Sequence, residues 1–154
     1  MSVFVVTSSD SRAEGEDETG RVIQAALRDA GHTVAGYTLI RDEPAALTRA
    51  LGDAVQSGAR ATIVNGGTGI GRRDTTVETL APLLEKTLPG FGELFRALSF
   101  EEIGSPAMMS RAVAGTHRGM VVFALPGSPQ AARLAMDRLI LPELGHAVRE
   151  LTRV

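Results

Sequence analysis

The chain has 154 residues, 44% hydrophobic and 22% charged, with a formal net charge of -2 and no cysteine. One domain of ordinary globular composition is expected at that size. The even charge disfavours a nucleic-acid or membrane-surface partner bound by bulk electrostatics, and the missing cysteine excludes disulfides, a catalytic thiol, a zinc ribbon and an iron–sulfur cluster.

Aromatic residues make up only 4%, so a stacking platform for single-stranded nucleic acid is not expected either. No basic segment precedes the apolar run Val3–Val6, and no run approaches a membrane span. A cytoplasmic location is the expectation. The 17 glycines are the feature to explain.

In chain order, Val3–Thr7 reads as a strand buried on both faces. A polar stretch, Ser8–Thr19, leads into a helix from about Gly20 to Ala30, where Val22, Ile23, Ala26 and Leu27 recur at helical spacing and Gly31 ends it. Thr33–Ile40 is a second strand. Arg41-Asp42-Glu43-Pro44 opens a second helix that Gly58 terminates, and Ala61–Val64 is a third strand. Alternation of this kind predicts a mostly parallel sheet covered by helices on both faces.

The third strand runs into a glycine-rich loop, Asn65–Thr76, and then into a helix. Thr75 and Glu78 have capping-box spacing there, and Pro89-Gly90 is expected to break that helix. Further helices are predicted over Phe91–Glu102 and from Ser105-Pro106 through Arg111. Met120–Leu125 is a fourth strand. Pro126-Gly127-Ser128-Pro129 turns into a helix capped by Ser128, which Pro142 interrupts before a last segment ending near Leu151.

Ligands of open parallel sheets bind beyond the strand carboxyl ends. Ser8–Ser11, Arg41–Glu43, Asn65–Asp74 and Pro126–Ser128 lie there. Gly66, Gly67, Gly69 and Gly71 let backbone amides approach a ligand closely, and phosphate is the natural guest. The loop is not a P-loop, because Arg72-Arg73 follows Gly71 where Lys-Ser/Thr is required. It is not a dinucleotide fingerprint either, because it follows the third strand and reads G-x-G-x-G.

Asp42 and Asp74 are each either a helix-start charge or a magnesium ligand beside phosphates. Arg72 and Arg73 either pair with phosphate or form a solvated pair. His32, His117 and His146 have no ligand spacing. Phe91, Phe95 and Phe100, with Met108 and Met109, are core or subunit contacts. Together they can form an exposed apolar surface that needs a partner.

These residues resemble a known family. Gly66-Gly67-Thr68-Gly69, Arg73-Asp74 and Thr76 closely match the G-G-T-G-x-x-x-R-D-x-T-P-E signature of the molybdenum cofactor biosynthesis proteins MoaB and MogA. The match continues through Pro89–Glu93, Leu98-Ser99, Ser110–Gly115 and Leu125–Ser128. Ser9–Arg12 and Asp17/Thr19-Gly20 also fit. Gly90–Gly104 and Ser110–Gly115 look closer to the MoaB branch. Val77 and Asn65 stand where the signature has proline and commonly Ser or Thr.

The resemblance implies a three-layer α/β/α fold that binds molybdopterin. Active relatives adenylylate it with ATP and Mg²⁺, release pyrophosphate, and assemble as homotrimers or homohexamers. Carried over by position, Asp42 and Asp74 would be the catalytic acids and the tentative magnesium ligands. Gly66, Gly67, Thr68 and Gly69, with Arg73, would cradle phosphate. Glu93, Ser110, Arg111 and Pro126-Gly127-Ser128 would line the pocket. A non-catalytic oligomeric molybdopterin carrier and a domain for an unrelated phosphorylated ligand are the alternatives.

Overall fold

The computed structural model describes residues 1–154. Six strands, β1 (Ser2–Ser8), β2 (Thr33–Ile40), β3 (Ala61–Asn65), β4 (Lys86–Thr87), β5 (Val113–His117) and β6 (Met120–Leu125), form one sheet of order β2-β1-β3-β6-β5-β4. β1 pairs in parallel with β2 and β3, and β3 in parallel with β6. β5 runs antiparallel to both β6 and β4.

Alternate residues of each central strand feed opposite faces. Val3, Val5, Ala61 and Ile63 pack beneath α1 (Glu18–Asp29), α4 (Pro89–Ile103), α5 (Pro129–Ala135) and α6 (Leu141–Thr152). Phe4, Val6 and Val64 pack beneath α2 (Pro44–Gln56) and α3 (Thr76–Leu80). The result is the predicted three-layer α/β/α architecture. Both sheet faces are dry, which is why these strands read as unbroken apolar runs instead of alternating ones.

The crossovers place the site. α1 carries the chain to β2 on one side of β1, and α2 carries it back past β1 to β3. The strand order therefore reverses beside β1, and a crevice opens beyond the carboxyl ends of β1, β3 and β6.

Several expected boundaries move. Of the hairpin β5–β6, only β6 is expected from the sequence; the first strand, Val-Ala-Gly-Thr-His, mixes strand formers with alanine and glycine. Its turn is a two-residue one, with Arg118 and Gly119 both at positive φ (46° and 78°). The helix after the glycine loop ends at Leu80. A short 3₁₀ turn at Ala81–Leu83 and the edge strand β4 follow, so Pro89 opens α4 instead of breaking a helix. Thr75 makes no side-chain cap, and Glu78 is taken by Arg111.

Ser105–Met109 is a 3₁₀ turn that begins after Gly104, with no serine cap. Pro142 does not interrupt the C-terminal helix. A π-helical turn, Met136–Ile140, joins α5 to α6, and Pro142 sits in the first turn of α6, where its missing N–H is tolerated. Gly31 and Gly58 do end α1 and α2, at φ 83° and 77°. Ser128 caps α5 by accepting from the Ala131 amide.

Asp17 ties β1, β2 and α1 together. It is 1% exposed and accepts hydrogen bonds from the Gly20 amide (2.9 Å) and the Tyr37 hydroxyl (2.6 Å). Burial alone raises a carboxyl pKa. Hydrogen bonds from Thr7, Tyr37 and the Gly20 amide, with the Arg12 charge, outweigh it and hold Asp17 below its ordinary value. A depressed folded-state pKa adds stability that is fully present above the ordinary value of 3.8 and is lost as pH falls through the lower folded value.

Asp17→Asn is therefore expected to lower unfolding free energy by about 2 kcal/mol at neutral pH. The gap to wild type should narrow as pH falls below 3.8. Urea unfolding across that range checks this; a gap independent of pH would refute it.

Candidate functional site

Three strand ends meet at Gly66. Its amide donates to the Leu125 carbonyl at 2.9 Å, closing β6 onto β3. Its Cα lies so close to the Ser8 carbonyl at the end of β1 that a Cβ cannot be fitted, and its φ is 97°. Gly67 has φ 70° and packs against the Thr76 hydroxyl. Only glycine takes both the left-handed backbone and the contact.

From there the loop carbonyls are claimed one after another from behind. Thr76 Oγ1 donates to Gly66 O at 2.8 Å, and the Thr76 amide donates to Gly67 O at 3.1 Å. The Arg111 amide donates to Thr68 O at 3.0 Å, while its guanidinium donates to Gly69 O through Nε (2.9 Å) and Nη2 (2.6 Å). Nη2 also reaches Asp74 O at 3.1 Å, and Nη1 pairs with Glu78.

All peptides are trans, so each N–H points opposite the carbonyl of the preceding residue, with which it shares a peptide plane. The amides of Gly67, Thr68 and Gly69 donate to no atom of the chain. They face a cavity of about 350 Å³. Consecutive amides presented in this way form an anion-binding concavity.

The cavity wall contains Gly66, Gly67, Thr68, Gly69, Asp74, Ser110, Pro126, Gly127 and Ser128, as expected from sequence. Phe95, Ser99, Ile103, Pro106, Ala107, Met109 and Ala131 complete it. Helical periodicity cannot separate a cavity wall from core, so the apolar members of this second set do not stand out in the sequence. The space is polar at the loop and apolar at the α4 end, the usual make-up of a small-molecule site. Ser110 Oγ is buried there with no hydrogen-bond partner, and a ligand polar group would satisfy it.

Asp74 orders the loop: its Oδ2 accepts from the Gly71 amide at 2.8 Å, and it lies against Gly69. Asp42 stands on the other side, with Oδ1 accepting from Ser8 Oγ at 2.5 Å and approaching Gly67. The two acids flank the cradle. No third acid or imidazole joins them in a metal-binding cluster. Two carboxylates suit Mg²⁺, which takes much of its shell from water and substrate phosphates.

Four expected members lie outside the cavity wall: Asp42, Arg73, Glu93 and Arg111. Arg73 is turned to Asp10 (Nε 2.8 Å, Nη2 3.1 Å), which also accepts from the Asp42 amide. Those hydrogen bonds hold the Asp10 carboxyl below the usual range, the Arg73 bond first and the Asp42 amide second. Arg111 supports the loop from behind; its hydrogen bond likewise lowers the pKa of Glu78. Glu93 is on the exposed side of α4.

Residues 4–146 match the family described as a probable molybdopterin binding domain. The chain is also 48% identical over 151 residues to molybdenum cofactor biosynthesis protein B of Bacillus subtilis (strain 168), covering 97% of this chain and 89% of that protein. The chain belongs to the MoaB/MogA family.

The fold agrees. A crystal structure of a molybdenum cofactor biosynthesis protein B superposes with a TM-score of 0.95 at 45% identity, covering 99% of this chain and 96% of the other. The tungsten cofactor synthesizing protein MoaB from Pyrococcus furiosus gives 0.91 at 38% identity, covering 97% and 96%. MogA gives 0.89 at 28%, covering 99% and 100%. Of the MoaB/MogA signature segment, Gly66–Gly69 and Asp74 line the cavity of this chain, while Thr76 holds the loop from behind.

Gly67→Ala is expected to cost about 1–2 kcal/mol from its left-handed backbone alone, and more from the Thr76 contact. Gly52→Ala, in mid-α2 with open space around it, should stabilise by about 0.5–1 kcal/mol. Thermal unfolding of the two variants checks the contrast. Equal effects would show that loop geometry is not strained.

Proposed function

We propose that this protein binds molybdopterin and adenylylates it with ATP. The observation that supports this reading is the run of unpaired amides at Gly67, Thr68 and Gly69, backed by engaged carbonyls, at one end of a cavity whose other end is apolar. A phosphate fits the first end and a flat heterocycle the second.

In the reaction, a molybdopterin phosphate oxygen attacks the α-phosphorus of ATP. A new P–O bond forms, the bond to the β-phosphate oxygen breaks, and pyrophosphate leaves. The nucleophile is already an anion, so no general base is required. The chain's task is to position two anions and neutralise their repulsion.

The loop amides hold the phosphate. Ser110 Oγ offers a hydrogen bond inside the cavity. Asp42 and Asp74 would hold Mg²⁺, which supplies charge neutralisation at the transferring phosphate. Arg73, at the rim, exchanges its Asp10 partner for a substrate phosphate.

Asp74→Asn isolates the role of that charge, because an amide oxygen can still accept from Gly71. It is expected to keep the fold and molybdopterin binding while reducing AMP transfer by at least about 100-fold. An assay for adenylylated molybdopterin with purified protein, ATP and Mg²⁺ checks both points. Turnover unchanged in the variant would remove Asp74 from the mechanism. Binding without turnover in the wild type would favour the non-catalytic carrier instead.

We propose further that the protein is a homotrimer or homohexamer. Of the two readings open for them, core or subunit contact, Phe91 and Phe95 take the first and are not part of the supporting surface. They stack in the core, centroids 6.4 Å apart, with Phe91 edge-on to Phe123. Leu94, Phe100, Ile103, Met108 and Met109 remain exposed on α4 and the turn after it, large apolar side chains of the kind a subunit contact covers. Light scattering at micromolar concentration should give at least a trimer mass; a monomer would contradict it.

A further inference from the structure

The Ser9–Gly20 segment holds signature residues that the chemistry above leaves idle. Two of them converge on a single atom. Arg12 Nη2 donates to the Gly127 carbonyl at 2.8 Å, and Thr19 Oγ1 donates to the same oxygen at 2.7 Å. Thr19 is fully buried. The Arg12 guanidinium is backed by buried Asp17, with Nη1 3.6 Å from Oδ1. Gly127 and Ser128 line the cavity; Arg12 and Thr19 do not.

The Gly127–Ser128 peptide is trans. With its carbonyl drawn outward to Arg12 and Thr19, its N–H is directed the opposite way. That N–H donates to no atom of the chain. Gly127 lies against Gly66, where a Cβ would meet the Gly66 Cα at 3.3 Å. A flip of this peptide would turn ψ of Gly127, which has no side chain to resist it, and φ of Ser128, now -79°. A flip would turn a carbonyl oxygen toward the cradle. An oxygen dipole facing a bound phosphate is repulsive, and strongly so where water is scarce.

We propose that Arg12 and Thr19 are positioning residues that clamp the Gly127 carbonyl out of the phosphate cavity, with Asp17 orienting Arg12. The inference rests on the phosphate-binding reading of the site. One donor is charged and the other neutral, and either alone still favours the outward carbonyl. The pair is therefore redundant: the clamp opens when both are lost.

The test uses Arg12→Gln, Thr19→Val, the double variant and Arg12→Gln/Thr19→Ser, each first verified as folded by circular dichroism. Two readouts are taken: the Gly127 carbonyl-carbon and Ser128 amide resonances without ligand, and the Kd for molybdopterin. Single variants should bind about threefold weaker, and the double variant more than about thirtyfold weaker, exceeding the product of the singles. In the double variant the two resonances should move or split. The Thr19→Ser double variant, which keeps a hydroxyl donor, should return to the Arg12→Gln values.

Unmoved resonances in the double variant overturn the clamp. Moved resonances with unchanged affinity overturn its role in binding. If Thr19→Val prevents folding, Thr19→Ala replaces it in the double variant, and the same two resonances carry the test. A wild type that binds no molybdopterin refutes the reading of the site. The ligand-free spectra then still decide the clamp, and titration with inorganic phosphate decides whether it serves an anion.

Discussion

The carbonyls of Gly66, Gly67, Thr68 and Gly69 are each held from behind, and the rest of the site follows from that constraint. A peptide unit has one donor and one acceptor pointing opposite ways. Fixing the acceptors fixes the donors. Thr76 fixes two with its hydroxyl and amide, and Arg111 fixes two with its amide and guanidinium. The amides then face the cavity without any positive side chain having to enter it. Preorganised dipoles of this kind need no reorganisation when a charged ligand arrives.

Arg111 shows how position and role part company. A signature arginine beside a phosphate loop invites reading as a phosphate ligand. Here its charge is spent on Gly69, Asp74 and Glu78, shaping the backbone that would bind the anion. Arg73, from the same signature, stays at the rim with Asp10 as an exchangeable partner. One arginine shapes the cradle, and the other is exposed and paired with Asp10. That division accounts for both being present although only one faces outward.

The sequence was informative where local rules are strong. The four parallel strands are apolar runs, and the glycine cluster lies where a parallel sheet places its ligands, so fold class and loop could be read directly. Gly31, Gly58 and Ser128 behave as their capping chemistry predicts. The strand Val113–His117 is not visible in the sequence, because Ala114 packs on the α4 side and Gly115 lies against Leu84 and Lys86, and neither carries a strand pattern. Pairing of Glu78 with Arg111, 33 residues apart, is long-range and looked instead like a capping box with Thr75. Burial of Phe91 and Phe95, while Phe100 on the same helix stays exposed, was likewise decided by which face of α4 meets the sheet.

The central claim is that the backbone amides of Gly67, Thr68 and Gly69 hold a phosphate group of the ligand. Amide nitrogen and proton shifts of these residues on titration with molybdopterin test it most directly. The account predicts that all three move together toward hydrogen-bonded values, saturating with the same Kd as the cavity residue Ser110. If molybdopterin binds and Ser110 responds while the three loop amides stay where they were, the phosphate lies elsewhere and the account is wrong.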